Sequence, residues 1–224
     1  MNIHFEDWGT IDYGQALRQQ QEIFDKIVAQ KSDFSNLSAY IPYQRFVVCE
    51  HPHVYTLGKH GQQQNMLISE DFLKKINATY YQIDRGGDIT YHGPGQIVGY
   101  PILDIEALQL SLKEYIYNIE EAIILTLQTY GITSSRLQGA TGVWLDVGGK
   151  DTRKICAIGV RSSRYITMHG FALNVNTDLK YFSYINPCGF IDKGVTSMEK
   201  ELHQKQEISI IKSQIYKNFC KLVL

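Results

Sequence analysis

Apolar residues recur at the three- and four-residue spacing of a helix in several parts of the chain. The spacing predicts helices from Asp12 to about Lys31, over Ser69–Ile76, from Ser111 through Leu127 and over Ile208–Leu222. The third helix begins with a capping box, because Glu114 follows Ser111 by three residues, and Gly131 is placed to end it. Asp12 with Gln15 resembles a second box.

Other segments are rich in Val, Ile, Tyr and Thr and are bounded by Gly, Pro or Asn, which is typical of strands. They are Phe46–Glu50, Val54–Leu57, Thr79–Ile83, Gln96–Leu103, Gly142–Val147, Lys154–Arg161 and Tyr165–Val175. No helical pattern separates the last three, so we expect them to pair antiparallel. The sequence therefore predicts a mixed α/β fold, with a largely antiparallel sheet and flanking helices.

Composition limits the classes of function. The 22 Lys and Arg residues balance 23 Asp and Glu residues, for a formal charge of −1, whereas dedicated nucleic-acid binders are usually basic. At 44% hydrophobic residues the chain can build a substantial core. No apolar run approaches the roughly 18 residues of a membrane span, and the N-terminus lacks a secretory pattern. We expect a soluble, cytoplasmic protein that binds neither nucleic acid nor membrane.

The cysteines and histidines do not predict a metal site. No two of the four cysteines form a C-x-x-C pair, and four are too few for a disulfide scaffold in 224 residues. His51, His53, His92 and His169 lack metal-ligand spacing, so no metal or cofactor is expected. A surface or packing role is predicted for His51 and His53. For His169 two interpretations stay open: a core histidine, or one that orients a site loop.

The densest chemical signal is the glycine-rich segment Arg85–Gln96, which reads Arg-Gly-Gly-Asp-Ile-Thr-Tyr-His-Gly-Pro-Gly-Gln. Glycine lets a backbone approach a ligand closely and aim several N–H groups at one point. A plain hairpin is the simpler interpretation. A functional loop is favoured because Arg85, Tyr91 and His92 are interleaved with the glycines, and a turn needs none of them.

Two further segments carry reactive side chains. Cys188 lies between Pro187 and Gly189, in a turn where a thiol can be exposed, although a structural turn cysteine is the simpler alternative. In Arg153–Gly159, strand alternation puts Lys154, Cys156 and Ile158 on one face. A lysine there is usually a solvated strand end. Beside a thiol it would favour thiolate, and desolvation would lower its own pKa toward a base.

Together these segments resemble the octanoyltransferase family, also called lipoyl(octanoyl) transferases or lipoate–protein ligase B. The resemblance rests on four ordered blocks: Arg85–Gln96, Lys154–Gly159, His169–Asn174 and Asn186–Gly189. Weaker blocks match at His51–Gly58 and Val195–Met198, so the likeness spans about Cys49 to Met198. The chain departs from the family pattern by a slightly long turn at Gly148–Arg153 and by Met198 where Leu is common.

The resemblance implies the biotin and lipoate ligase catalytic fold, as one domain over residues 1–224, and octanoyl transfer from acyl carrier protein. The acceptors would be lysines on lipoyl domains of 2-oxoacid dehydrogenases and on the glycine cleavage H protein. Cys188 would be the thioester nucleophile and Lys154 its activating partner. The acyl site would be lined by Arg85, Gly86, Gly87, Asp88, Ile89, Thr90, Tyr91, His92, Ala157, Ile158, Gly159, Gly170, Phe171 and Ala172.

Three alternatives and one docking hypothesis accompany this interpretation. An ATP-dependent lipoate or biotin ligase of the same fold would need no thiol nucleophile, and a non-catalytic acyl-binding protein would not need both Cys188 and Lys154. A close variant would shuttle octanoyl between lipoyl-bearing proteins.

The basic residues of the hairpin 150–164 are usually read as a solvated face. Since acyl carrier proteins are acidic, we also hypothesise that they dock the donor. They are Lys150, Arg153, Lys154, Arg161 and Arg164.

Overall fold

The computed structural model describes residues 2–32, 44–186 and 193–224. The helices are α1 (Tyr13–Ser32), α2 (Glu70–Lys75), α3 (Leu112–Thr129), α4 (Met198–Leu202) and α5 (Ile208–Val223). The strands are β1 (His4–Thr10), β2 (Arg45–Glu50), β3 (Val54–Leu57), β4 (Thr79–Gln82), β5 (Ile89–His92), β6 (Gln96–Ile102), β7 (Ser135–Leu137), β8 (Ala140–Leu145), β9 (Arg153–Ser163), β10 (Ile166–Asn174) and β11 (Gly194–Val195). None of the described helices is long and apolar enough to cross a membrane.

The strands form two sheets. In the larger one the order is β1-β2-β6-β10-β9-β8-β7, with β11 beside β9, and the smaller one is β4-β3-β5. Strands β8, β9 and β10 pair antiparallel, as the sequence predicts, whereas β1 with β2, β3 with β4 and β9 with β11 are parallel. The mixed, largely antiparallel sheet with flanking helices is confirmed.

Helices cover both faces of the large sheet. On one face α3 and α5 pack against a cluster that includes Cys156, Phe171 and Leu173, and on the other α1 packs against Met168 and Ala172. Every residue of β6 and β10 is consequently buried. The small sheet has its own apolar cluster and is closed by the 3-10 helix Leu179–Tyr184.

The predicted helix signals are present. The Ser111 side chain accepts from the Glu114 N–H while the Glu114 carboxylate accepts from the Ser111 N–H, which completes the capping box. Ser69 caps α2 by accepting from the Phe72 N–H. Gly131 follows α3 with φ of 76°, a conformation that glycine adopts without strain.

Four strands, β1, β5, β7 and β11, are absent from the prediction. Strand β1 is not predicted because His4–Thr10 is an edge strand whose polar residues hide the β pattern. Its Glu6 carboxylate pairs with Arg45 of the neighbouring strand. β5 lies inside the segment that the glycines marked as a loop, since Ile89–His92 pairs with β3 between two glycine turns. A predicted strand over Gly142–Val147 ends earlier, at Leu145, where Asp146 takes a φ of 50°.

Close packing of β10 on β6 generates a prediction. A Cβ at Gly170 would lie 2.3 Å from the backbone oxygen of Gly99, which cannot rotate away. Gly170→Ala should lower the free energy of unfolding by about 1–3 kcal/mol, measured by urea denaturation. Gly194→Ala is the control, because its Cβ would meet an ordinary 3.4 Å contact. Equal stability of the two variants would contradict this packing.

Candidate active site

The Arg85–Gly87 turn lies directly on strand β9. The Gly86 N–H donates to the Val160 carbonyl at 3.0 Å. A Cβ at Gly159 would lie 2.8 Å from the Gly86 carbonyl oxygen, and one at Gly58 would lie 2.4 Å from the Gly87 carbonyl oxygen. Glycines at 58 and 159 therefore let two backbones approach the turn more closely than any side chain would allow.

The Arg85 side chain is buried beneath this turn, with 8% of its surface exposed. Its guanidinium donates to the Thr56 carbonyl at 2.7 Å, to the Thr56 hydroxyl at 2.9 Å and to the Gly86 carbonyl at 3.0 Å. Burial lowers its pKa from the ordinary value, against the charges of Tyr13 and Asp88 that act the other way. A buried charge of this kind depends on complete hydrogen bonding.

A second feature is a row of buried amide side chains whose orientation is fixed by backbone carbonyls. The Asn174 amide nitrogen donates to the Thr196 carbonyl at 3.0 Å, so its oxygen faces Gln96. Gln96 donates to that oxygen at 2.8 Å and to the Tyr91 carbonyl at 3.2 Å. The remaining Gln96 oxygen lies 2.8 Å from Nδ1 of His92, so Nδ1 must carry the hydrogen.

His92 extends the row to Arg85. Burial lowers the pKa of His92 to about 3, so the ring is neutral and its Nε2 is an acceptor. The Thr56 hydroxyl lies 3.4 Å from that nitrogen, donates to it and accepts from Arg85. Every donor in the chain from Arg85 to Thr196 therefore points the same way. Thr196 then donates its own N–H to the Lys154 carbonyl at 2.9 Å.

His51 lies beside this chain in the same protonation state. Its Nδ1 lies 2.8 Å from the Ile11 carbonyl, and its Nε2 lies 2.6 Å from the Tyr100 hydroxyl. The carbonyl can only accept, so His51 also carries its hydrogen on Nδ1. Burial lowers its pKa to about 4. The packing role predicted for His51 thus includes a defined hydrogen-bonding role.

His169 contacts Asp84, the residue that precedes Arg85. It is buried with φ of 63°, and its Nε2 lies 3.4 Å from the Asp84 carboxylate, which also pairs with Arg161 at 2.7 Å. Hydrogen bonding from His169 and the charge of Arg161 lower the pKa of Asp84. Of the two interpretations of His169, the structure favours the one in which it orients the site loop.

Lys154 is half-buried at the N-terminal end of β9. Its amine lies 4.5 Å from the centre of the Trp144 ring, a distance suited to a cation–π contact. Burial lowers the pKa of Lys154 to about 8; Cys156 and Glu120 oppose this shift, and Arg85 adds to it. Both the ammonium and the free amine are therefore populated near neutral pH, as expected for a desolvated lysine.

Cys188 and Gly189 lie outside the described residues, but the chain is fixed on either side of them. The Asn186 N–H donates to the Asn65 carbonyl at 2.8 Å, and the Asn65 amide donates to the Asp88 carboxylate at 2.9 Å. On the far side Val195 pairs with Lys154. The described residues that flank this segment therefore lie near Asp88 on one side and beside Lys154 on the other.

Some predicted lining residues face away from the turn. Gly159 faces Arg85, and strand alternation places Ala157 on the same face. Ile158 and Phe171 instead pack into the cluster under α3 and α5. Ile89 and Tyr91 are buried in the small-sheet cluster. These four side chains therefore pack into apolar clusters, and the prediction that they line the acyl site stays a prediction.

The described cysteines and acidic residues add no second reactive centre. Cys49 and Cys156 are buried and Cys220 is half-buried, and burial raises the pKa of all three thiols, as expected for structural residues. Within the described ranges, no three His, Cys, Asp or Glu residues are grouped to hold a metal ion.

The basic residues of the hairpin 150–164 do not form one surface. Arg153 pairs with Glu201 at 2.7 Å, and Arg161 pairs with Asp84. Lys150 and Arg164 lie beyond opposite ends of β9, whose length separates them by roughly 30 Å. The five basic residues therefore do not form a single patch, and the hypothesis that the hairpin docks the donor stays a prediction.

Four polar residues have no role in the sequence-based prediction, although three of them lie within the blocks His51–Gly58, His169–Asn174 and Val195–Met198. Thr56, Asn174 and Thr196 complete the hydrogen-bond chain, and Glu120 of α3 lies near Lys154. A polar residue that interrupts a buried apolar strand was the available signal for Thr56 and Asn174. A glutamate on a helix gives no such signal.

Comparison with known proteins agrees with this geometry. Residues 12–220 match the family model described as the lipoyl protein ligase A/B catalytic domain. A curated octanoyltransferase of Bacteroides fragilis is 55% identical over 93% of this chain and 92% of its own length. One from Christiangramia forsetii is 51% identical over 98% of this chain and 95% of its own length.

Solved structures share the fold at low sequence identity. A bipartite lipoate protein ligase of Thermoplasma acidophilum covers 99% of this chain and 84% of its own, with a TM-score of 0.69 and 14% identity. A biotin protein ligase of Aquifex aeolicus covers 99% of this chain and 70% of its own, with a TM-score of 0.51 and 10% identity. These likenesses show that the biotin and lipoate ligase fold is present.

The two neutral histidines predict how stability depends on pH. Their pKa values are about 4 and about 3 in the folded state and about 6.5 when unfolded. Below pH 6.5 the unfolded chain therefore binds more protons, and stability should fall as the pH drops. The slope should approach about 1.4 kcal/mol per pH unit for each ring.

Urea unfolding between pH 7 and pH 5 measures this slope. His92→Asn should reduce it by up to about 1.4 kcal/mol per pH unit, the share of one ring, and His60→Gln, at an exposed position, is the control. A stability that does not change between pH 7 and pH 5 would contradict the neutral, buried state of these rings.

Proposed function

We propose, on the premise that the chain belongs to the lipoyl protein ligase A/B catalytic family, that it is an octanoyltransferase of protein lipoylation. The identity to curated octanoyltransferases over nearly the full length of both chains supports the activity. The geometric observation that carries the mechanism is the Lys154 amine, which is half-buried over Trp144 and has a pKa of about 8. We further propose that residues 1–224 act as one catalytic domain in the cytoplasm.

In the first step the Cys188 thiolate attacks the carbonyl carbon of the octanoyl thioester on acyl carrier protein. The new carbon–sulfur bond forms as the bond to the carrier sulfur breaks, and the carrier leaves as a thiolate. Lys154 in its ammonium form stabilises the Cys188 thiolate before attack. One thioester replaces another at nearly equal free energy, so the step needs no ATP.

In the second step the lysine amine of a lipoyl domain attacks the Cys188 thioester. The amide bond forms, the carbon–sulfur bond breaks, and the sulfur leaves as a thiolate. The attacking amine must lose a proton, and the neutral form of Lys154 accepts it. A pKa near 8 suits both roles, because neither form of Lys154 is rare at neutral pH.

The small residues beside the Arg85–Gly87 turn suit an acyl chain. Ala157 and Gly159 are half-buried on β9, and Gly159 faces Gly170 across the strand pair. About six buried CH₂ groups at roughly 0.8 kcal/mol each would contribute about 5 kcal/mol to binding. We propose that this face, together with Ala172 and the turn, binds the octanoyl chain.

The alternative is an ATP-dependent ligase. Solved neighbours include a lipoate-protein ligase A bound with ATP, but at 13% identity they indicate the fold alone. A ligase would activate free octanoate with ATP, whereas a transferase uses only the carrier thioester. Turnover of free octanoate plus ATP, without turnover of the carrier thioester, would favour the ligase. An enzyme that takes octanoyl from another lipoyl-bearing protein would differ only in its donor.

The thioester is tested by intact mass spectrometry after mixing with octanoyl-acyl carrier protein. Wild type should gain one octanoyl group that neutral hydroxylamine removes. Cys188→Ser should gain no hydroxylamine-labile group, and Cys220→Ser, the matched control at a half-buried cysteine, should behave as wild type. Lys154→Ala should slow the gain by about 100-fold or more, since thiolate formation loses its cation.

A labile octanoyl group that persists in Cys188→Ser would contradict Cys188 as the nucleophile. Unchanged acylation in Lys154→Ala would remove Lys154 from the first step.

A further inference from the structure

Helix α3 carries a buried carboxylate, Glu120, near the Lys154 side chain. Glu120 is 7% exposed, and each of its oxygens has a fixed partner. One accepts from the Gly142 N–H at 2.9 Å, and the other accepts from Nε of Arg136 at 2.8 Å. The carboxylate is therefore buried and held in place from both sides.

Gly142 connects this carboxylate to Lys154. Its φ of 123° is open to glycine but strained for other residues. A Cβ at this position would lie 2.6 Å from the Cys156 carbonyl oxygen and 3.4 Å from Cε of Lys154. The Gly142 backbone is therefore hydrogen-bonded to Glu120 and lies close to the Lys154 side chain.

The other charged groups around Lys154 do not replace Glu120. Arg85 carries a positive charge that opposes the ammonium, and Cys156 is a buried thiol whose pKa is raised. The Trp144 ring of β8 is uncharged, and Arg153 of β9 is paired with Asp146 and Glu201. Cys188 lies outside the described residues. Glu120 therefore supplies the carboxylate that acts on Lys154 from α3.

We propose that Glu120 is a positioning residue for Lys154: fixed by Gly142 and Arg136, its carboxylate holds the backbone against the lysine and stabilises the ammonium form. The effect of Glu120 on Lys154 does not depend on the proposed function, whereas the expected effect on catalysis rests on it. Without the Glu120 charge, less ammonium faces the nucleophile at neutral pH, so the first step slows. The second step, which uses the neutral amine, is affected less.

The titration of Lys154 tests the proposal without any assay of activity. The full-length protein is labelled with trace acetic anhydride at a series of pH values, and peptide mass spectrometry gives the pH midpoint of Lys154 modification. In Glu120→Gln, which keeps an oxygen for the Gly142 N–H, the midpoint should fall by about half a pH unit to one unit. Glu121→Gln is the matched control, because Glu121 also binds Arg136 at 2.8 Å but does not bond to Gly142.

A second variant, whose expected shift of the Lys154 midpoint has the opposite sign, distinguishes this effect from a folding defect. Arg136→Gln removes the cation beside Glu120 and should raise the Lys154 midpoint. Unchanged midpoints in folded Glu120→Gln and Arg136→Gln would overturn the proposal.

Activity measurements separate this proposal from the proposed mechanism. The pH profile of kcat/KM should shift in Glu120→Gln in the same direction as the midpoint. A midpoint that falls while the pH profile stays fixed would support the role of Glu120 and contradict the role of Lys154 in catalysis.

Discussion

The site depends on a buried row of hydrogen bonds that all point one way. Arg85 donates to Thr56, Thr56 to His92, His92 to Gln96, and Gln96 through Asn174 to a backbone carbonyl. The direction is fixed at both ends, because a guanidinium can only donate and a carbonyl can only accept. No member can reverse without leaving two donors or two acceptors facing each other. In a buried site each such mismatch costs about 1–3 kcal/mol.

This constraint explains why separate parts of the chain carry the site. The row takes one residue each from β3, β5, β6 and β10. It ends at the carbonyl of Thr196, whose N–H donates to the Lys154 carbonyl on β9. The row joins the small sheet, which carries Thr56 and His92, to the large sheet, which carries Gln96 and Asn174. Arg85 of the Arg85–Gly87 turn is its first donor. Arg85 and Lys154 are therefore placed by one polar network, and the glycines supply the space in which the backbones meet. Arg85 and Lys154 are distant in sequence but share one support.

Much of the fold follows from local patterns, whereas the support of the site does not. The strands with β-branched and aromatic residues and the caps at Ser69 and Ser111 are readable because their signals are local. Strand β1 is not, since pairing with β2 overrides its polar composition. The motif residues Arg85, His92 and Lys154 can be predicted to share a site. Thr56 and Glu120 resemble ordinary strand and helix residues, and only tertiary contacts reveal their roles. Sequence also does not show which arginines of the basic hairpin are paired.

The position of the hydrogen on His92 tests this account most directly. A free neutral imidazole in water carries its hydrogen on either nitrogen, but the row permits only Nδ1, with Nε2 as the acceptor. Nitrogen-15 NMR of the histidine-labelled protein reports the two nitrogens separately. The account predicts a neutral His92 ring with the hydrogen on Nδ1 throughout pH 7.5 to 5.5. A hydrogen on Nε2, or a ring that protonates near pH 6.5, would contradict the one-way row and with it the common support of Arg85 and Lys154.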